Sequence, residues 1–396
     1  MRPVGPAIAY WIVACATLLA ACAPMPRERD ARLPLHTLAR DGRMIIADQD
    51  GARVRLKSVN WFGFESPTLV AGGLNHRRLS DIVRLIKQGG FNSVRLPWCN
   101  EMLVAGPAAP EFLSANPELA GKTPLQLFDV VVHELSANGL MVILDNHRTR
   151  GDWCCDEDHG DGLWYSRVQD EAQWLRDWAF MARRQAGNAW VVGAELRNEI
   201  RPDNALALKP SWGDGLPATD WKLAAEKAAD AVSRANPDLL VIVGGIGYQT
   251  DLSDFAARPP RIQARDKLVY AAHDYVWNRA PGELADDAAF ARRSFERFGF
   301  LSEAGHAYSA PVYISEWGSC LQADSSDKPC AADRVAFRDA FARYAAATGI
   351  DFAWWPLNGD QLPGYNRRNG EVETYGLLRP DWPGYVSAAF VATLTR

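Results

Sequence analysis

At 396 residues, with 48% apolar residues, 23% charged residues and a formal net charge of −5, the chain has the composition of a globular protein. The length allows two ordinary domains or one large barrel. Nucleic acid is disfavoured as a partner, because no block of like charge is long enough to act as a tail. The 15 tryptophans stand out; the indole's flat face and single N–H suit it to sugar rings as well as to a core.

The first 22 residues read as a processing signal. Arg2 is a short basic region, "AIAYWIVACATLLA" is an apolar run, and "LAAC" ends at Cys22. The run is too short for a membrane span and fits a signal peptide. Its end resembles a bacterial lipobox, which makes Cys22 the expected lipidated N-terminus; a plain signal peptide containing a cysteine is the alternative. Ala23 does not signal inner-membrane retention, so the expected location is the cell envelope, anchored in the outer membrane and facing the periplasm or the outside. Residues 23–40, with three prolines and mixed charge, read as a tether, and residues 41–396 as the folded domain.

Removing Cys15 and Cys22 from the seven cysteines leaves Cys99, Cys154, Cys155, Cys320 and Cys330. In an exported protein disulfides persist. Cys320 and Cys330 flank the polar loop "CLQADSSDKPC" and form the expected pair. Adjacent Cys154 and Cys155 are poorly placed to bridge one another, so one is expected to pair with Cys99, leaving a thiol over. Zinc is the competing reading, but no CxxC or His-rich spacing supports it.

"MIIADQDGARVRL" predicts a small hairpin turning at Asp50-Gly51. One unit then recurs: an apolar, β-branched run ending in polar or aromatic residues, a loop, and an amphipathic helix. The runs are "RLKSVNWFGFE", "SVRLPW", "LMVILDNH", "VVGAELRNE", "LLVIVGG", "KLVYAAHDY", "PVYISEWG" and "DFAWWPLNG". Nearly continuous apolar runs suit strands buried on both faces of a parallel sheet. Between them, "LSDIVRLIKQGG" predicts a helix starting at a Ser80/Asp81 cap region, with further helices at "LQLFDVVVHELSANG", "DEAQWLRDWAFMARRQAGN", "DWKLAAEKAADAVSRANP" and "ADRVAFRDAFARYAAATG". Eight runs with helices between them predict a (β/α)8 barrel. A doubly wound open sheet would want a Gly-rich phosphate turn after its first strand, which "NWFGFES" is not.

Chemistry in such barrels sits at the C-terminal strand ends, and the polar residues gather there: Arg95, His147, Asn198, Glu199, His273, Tyr275, Glu316 and Trp355. Taken singly, each has an ordinary structural reading; scattered structural residues have no reason to share one end. Buried carboxylates are costly unless paired, and glycoside hydrolysis accounts for two facing each other across a barrel mouth.

This set resembles glycoside hydrolase family 5, the cellulase-like retaining (β/α)8 enzymes. "LRNEI" is similar to the family's acid/base motif and "ISEWG" to its nucleophile motif. Arg95 in "VRLPW", His147 in "LDNH", His273 and Tyr275 in "HDY", and Trp355 in "WWPLNG" match its other signature positions. "GDWCC", "LRNEIRPDNA" and "ANPDLLVIVGG" are similar to a plant-type branch, which shares the departure from the family's usual Pro after the acid, here Ile200. The resemblance implies Glu199 as acid/base, Asn198 beside it facing a substrate 2-hydroxyl, and Glu316 as nucleophile, kept ionised by Arg95 and Tyr275. It implies Trp355 as the sugar floor and the histidines as orienting groups. Glu195 is expected to be architectural, paired with Arg197 or Arg95. Trp153, Trp164, Trp277 and Trp317 are candidates for further subsites. No cofactor or metal is required. The expected substrate is a β-glucan or related β-glucoside; mannan, glycolipid or small-glucoside specificity, or a non-catalytic carbohydrate-binding lipoprotein, are the alternatives. The oligomeric state leaves no readable trace.

Overall fold

All eight apolar runs become strands, and they close on themselves. The computed structural model describes residues 31–284, 286–322 and 330–396. The expected signal peptide, Cys15, Cys22 and residues 23–30 of the tether lie outside the described residues. In chain order the barrel strands are β3 (Lys57–Asn60), β4 (Ser93–Cys99), β5 (Met141–Arg148), β6 (Val191–Glu195), β7 (Leu240–Gly244), β8 (Leu268–Asp274), β9 (Val312–Trp317) and β10 (Asp351–Trp354). Each pairs in parallel with its neighbours, and β10 pairs with β3 to close the barrel. Burial on both faces explains the lack of alternation in these segments.

The N-terminal hairpin starts earlier than its expected turn. Strands β1 (His36–Arg40) and β2 (Arg43–Ala47) pair antiparallel, so residues assigned to the tether are its first strand. The Asp50-Gly51 reversal also forms, with Asp48 Oδ1 accepting from the Asp50 and Ala52 amides. Beyond it only the single bridge Ala47–Arg53 follows.

The helices answer to local signals. In α2 (Pro124–Ala137), Thr123 and Gln126 make a reciprocal capping box. Asp170 and Asp220 cap α3 (Glu171–Arg184) and α4 (Trp221–Ala235). The start of α1 (Leu79–Gln88) corrects the expected cap: Arg78 offers no side-chain cap, and Asn116 Oδ1, from the loop after β4, accepts the Leu79 amide at 2.9 Å. An orphan helix donor is thus satisfied from a distance in sequence. A short turn α5 (Ile246–Gln249) follows β7, and α6 (Asp287–Arg297), α7 (Ala332–Thr348) and α8 (Ala388–Leu394) complete the set. Among the described residues no helix is long and apolar enough to cross a membrane.

Register places the site. Asn60 lies beside Arg95, Asp145 beside Glu195, and His273 beside Glu316. The last pairing follows a register shift at Ala272/His273, an irregularity of the kind that re-aims side chains at barrel rims.

Candidate active site

Arg95 is the hub of the barrel mouth. It is fully buried, and its guanidinium donates to Glu195 Oε2 (2.8 Å), Glu195 Oε1 (3.0 Å), Asn60 Oδ1 (2.9 Å), Asn198 Oδ1 (2.8 Å) and Glu316 Oε1 (2.7 Å). Asp145 Oδ2 lies 3.1 Å away. This planar fork can serve several acceptors from fixed directions, which a lysine could not.

Glu195 is architectural, and its partner is Arg95. Besides the guanidinium it accepts from Ser315 Oγ and Gln249 Nε2, both at 2.9 Å, leaving it no spare capacity. Arg197 instead pairs with Asp161 at 2.6 Å.

Glu316 and Glu199 are held differently. Glu316, at the end of β9, accepts from Arg95 and from the Tyr275 hydroxyl at 3.0 Å. Burial and the nearby Glu316 and Glu199 charges push the Tyr275 phenol well above its usual range, so it remains a donor. Glu199 lies past the end of β6 with φ 46°, in the left-handed region that favours glycine. Its amide donates to Gln249 Oε1 at 2.7 Å and its Oε1 meets His273 Nδ1 at 2.9 Å. A carboxylate oxygen of each glutamate and a ring nitrogen of His273 all lie within 4.8 Å of one another. That spacing belongs with closely set carboxyl pairs, not with pairs that leave room for an intervening water.

Burial favours a neutral Glu199, but the hydrogen bond and charge of His273 outweigh it and hold the carboxyl below its usual range. Burial likewise disfavours a charged His273, yet Glu316 and Glu199 raise its pKa. The two groups therefore share a proton across one short contact. His147 behaves oppositely: burial brings it down to about 3, so its ring is neutral. Its Nδ1 lies 2.7 Å from Asp145 Oδ2 and its Nε2 faces Asn198 Nδ2 at 3.3 Å. Nδ1–H therefore donates to Asp145, Nε2 accepts from Asn198, and Arg95 fixes the amide's other end.

These groups open into a cavity of about 640 Å³. Two aromatic walls line it. Trp355 stacks on His147 and Phe62 (centroids 5.6 and 5.7 Å), with Trp153 tilted against it. Trp277, 63% exposed, lies flat on Tyr275 at 4.5 Å. Arg367, also in the cavity lining, lies over the Trp153 ring at 3.8 Å while paired to Glu373, a cation–π contact.

Two of the four subsite tryptophans are misplaced by the sequence reading. Trp317 is fully buried, stacked on Phe341 at 3.9 Å and edge-on to Trp354. Side chains alternate along a strand, so an inward Glu316 obliges Trp317 to face the helix layer. Trp164 is also core, against Tyr165 and Trp221, its indole N–H donating to Glu171.

The cysteine expectation is half corrected. Cys320 and Cys330 are joined, Cα atoms 5.6 Å apart. Cys154 and Cys155, however, are joined to each other, and Cys99 is a buried free thiol donating to Phe64 O at the end of β4.

Sequence reasoning missed Gln249, which bonds both the Glu199 amide and Glu195, and missed Glu65, Asp152, Arg367, Glu373 and Tyr375 in the cavity wall. Gly244 was the available signal for Gln249: a Cβ there would stand 2.6 Å from the Gln249 side chain.

Comparison with known proteins agrees with this geometry. Residues 47–361 match the cellulase family model, glycosyl hydrolase family 5. An endoglucanase of Paenibacillus polymyxa is 28% identical over 358 residues, covering 85% of this chain and 81% of that protein. The major extracellular endoglucanase of Xanthomonas campestris pv. campestris is 32% identical over 358 residues, covering 85% of this chain and 66% of that protein. The endocellulase of Pyrococcus horikoshii, also crystallised with cellotetraose, superposes with a TM-score of 0.75 at 26% identity, over 92% of this chain and 100% of that one. The chain belongs to the cellulase family, glycosyl hydrolase family 5, and by that membership is a retaining glycosyl hydrolase.

Proposed function

We propose that the chain is an endo-acting β-glucanase in which Glu316 is the nucleophile and Glu199 the acid/base. The observation that carries this reading is the close approach of the two carboxylates in an open, aromatic-walled cavity. Relatives named endoglucanase and endocellulase support β-1,4-glucan as the substrate.

In the first step Glu316 attacks the anomeric carbon while the proton shared by Glu199 and His273 passes from Glu199 to the departing oxygen. Arg95 and Tyr275 orient the attacking carboxylate. Once Glu316 is esterified its negative charge is gone, so Glu199 more readily gives up a proton and can act as base toward water in the second step. Trp355 supplies the floor of the cleaving subsite, and Asn198, fixed by Arg95 and His147, faces the 2-hydroxyl, which takes the amide proton now directed at Cys154 Sγ 3.7 Å away. Trp153 and Trp277 extend the sugar-binding surface.

We assign the mature protein to the cell envelope, anchored through Cys22, with Cys320–Cys330 as a disulfide suited to an oxidising compartment. Loss of membrane association in a Cys22→Ser variant is the expected outcome; an unchanged distribution rejects the anchor.

The function is tested by mass spectrometry of products from β-1,4-glucan, mixed-linkage glucan, mannan and glucosylceramide, with Glu316→Ala as the blank. Oligosaccharides from β-1,4-glucan are expected. Products from mannan or the glycolipid alone would replace the substrate, and none at all would favour a binding protein. Azide separates the two roles: rescue of Glu316→Ala should give an α-glycosyl azide, and rescue of Glu199→Ala a β-glycosyl azide.

A further inference from the structure

The Cys154–Cys155 bridge is not remote from the chemistry. Both residues line the catalytic cavity and are partly exposed to it. Cys154 Sγ lies 3.8 Å from Glu199 Oε2 and 3.7 Å from Asn198 Nδ2. Sulfur atoms of both cysteines and a Glu199 oxygen fall within 4.8 Å of one another. A bridged sulfur carries no proton, so Glu199 Oε2 meets an apolar, non-donating surface on that side. The other charged or titratable groups acting on Glu199 are His273 from β8, Glu316 from β9, His147 from β5, and Arg201, Tyr248 and Tyr275.

The proton shared by Glu199 and His273 must be on Glu199 when the leaving oxygen departs. A hydrogen-bond donor aimed at Oε2 would favour the ionised carboxylate and draw that proton toward His273. We infer that the Cys154–Cys155 bridge is a positioning element for Glu199: as a protonless sulfur wall it adds no donor at Oε2 to the pull that His273 already exerts, and reduction to two thiols lowers the fraction of Glu199 that carries the proton. The inference rests on the acid/base role proposed for Glu199. In the reduction a dithiol reagent breaks the S–S bond. Each cysteine sulfur takes up one hydrogen, and the reagent closes to its own cyclic disulfide. Cys154 then presents an S–H to Glu199 Oε2.

An acid matters only when the leaving group is poor, and this gives a readout that a structural role would not move. Values of kcat/KM, which report glycosylation, are compared for a cello-oligosaccharide and a dinitrophenyl cellobioside. Reduction, verified by the mass of the hydrogens taken up, should slow the oligosaccharide about three- to tenfold, one pKa unit being tenfold, and leave the dinitrophenyl substrate unchanged. Cys155→Ala, which leaves the Cys154 thiol beside Glu199, should show the same selective loss without reductant. Cys154→Ala/Cys155→Ala should give the same rates with and without reductant. Cys320→Ala/Cys330→Ala should respond to reductant as the wild type does. Equal slowing of both substrates, or no change in Cys155→Ala, overturns the inference. Glu199→Gln is the separating control: if it too slows both substrates alike, the acid assignment itself fails.

Discussion

The mouths of β6 and β9 each present a glutamate to the same cavity, yet they are built on opposite principles. At β9 the carboxylate sits on a regular strand between a permanent cation and a phenol that stays protonated. The two groups hydrogen-bonded to Glu316 do not change charge easily, and His273 Nδ1 stands further off, 3.7 Å from its Oε2. At β6 the carboxyl sits four residues past the strand, on a left-handed backbone, sharing a proton with His273 and facing a sulfur wall. Fixed partners suit a group that must remain an anion until it bonds to carbon, and an exchangeable partner suits one that must release and recover a proton.

The sharpest way to break this contrast is to neutralise each carboxyl in turn. Glu316→Gln should lose kcat on all substrates by about 10⁴- to 10⁶-fold, the scale seen when a nucleophile is removed. Glu199→Gln should spare the first step on a dinitrophenyl glycoside; stopped-flow release of dinitrophenol would show it as a retained burst. Equal losses in that burst would erase the difference between the two mouths.

Arg95 tests whether the fixed mouth holds the barrel together as well as the nucleophile. Arg95→Met strands Glu195 and Asp145 without their cation in a fully buried layer. Thermal or urea unfolding should register about 3–5 kcal/mol of lost stability, the cost of breaking a buried ion pair from one side. Tyr275→Phe is milder. It removes one donor from Glu316, and kcat should fall roughly 10²-fold, as for a single preorganised donor, with the melting temperature nearly unchanged.

Glu65 sharpens the comparison from outside, because it shows burial of a carboxyl with no cation in contact. It lies in the cavity wall, 3% exposed, accepting the Gly63 amide at 2.8 Å. Burial outweighs the backbone hydrogen bonds and lifts it from 4.5 to about 8. The folded state therefore binds this proton more tightly than the unfolded chain. The stabilisation is complete below pH 4.5 and is lost as pH rises toward about 8. Glu65→Gln, which mimics the neutral acid, should flatten that decline in melting temperature across the same window. An unchanged slope would show that Glu65 is ionised in the fold.

Much of the fold and of the site is legible in the amino-acid sequence, and the misses have identifiable causes. The eight strands are readable because a strand buried on both faces must be apolar throughout. The catalytic candidates are readable because polar residues ending such runs have few structural reasons to be there. Trp317 is misread although its parity with Glu316 already points it outward. The helix α1 cap is misread because the accepting group, Asn116, arrives from another loop. The turn expected at Asp50-Gly51 forms, but the ladder that matters begins at His36, inside a stretch whose prolines and charges resemble a linker.

The sequence by itself determined the barrel, the end at which chemistry occurs, and the two glutamates, since periodicity and strand-end polarity are local properties that survive in one dimension. Only the tertiary structure decided what each glutamate touches. Glu195 taking Arg95 rather than Arg197, Gln249 folding back over Gly244 to seat Glu199, and Cys154 bridging Cys155 beside the acid all depend on where the closed barrel sets its strand ends and loops. A hydrogen bond depends on tenths of an ångström and on direction, and those are fixed only when the barrel closes.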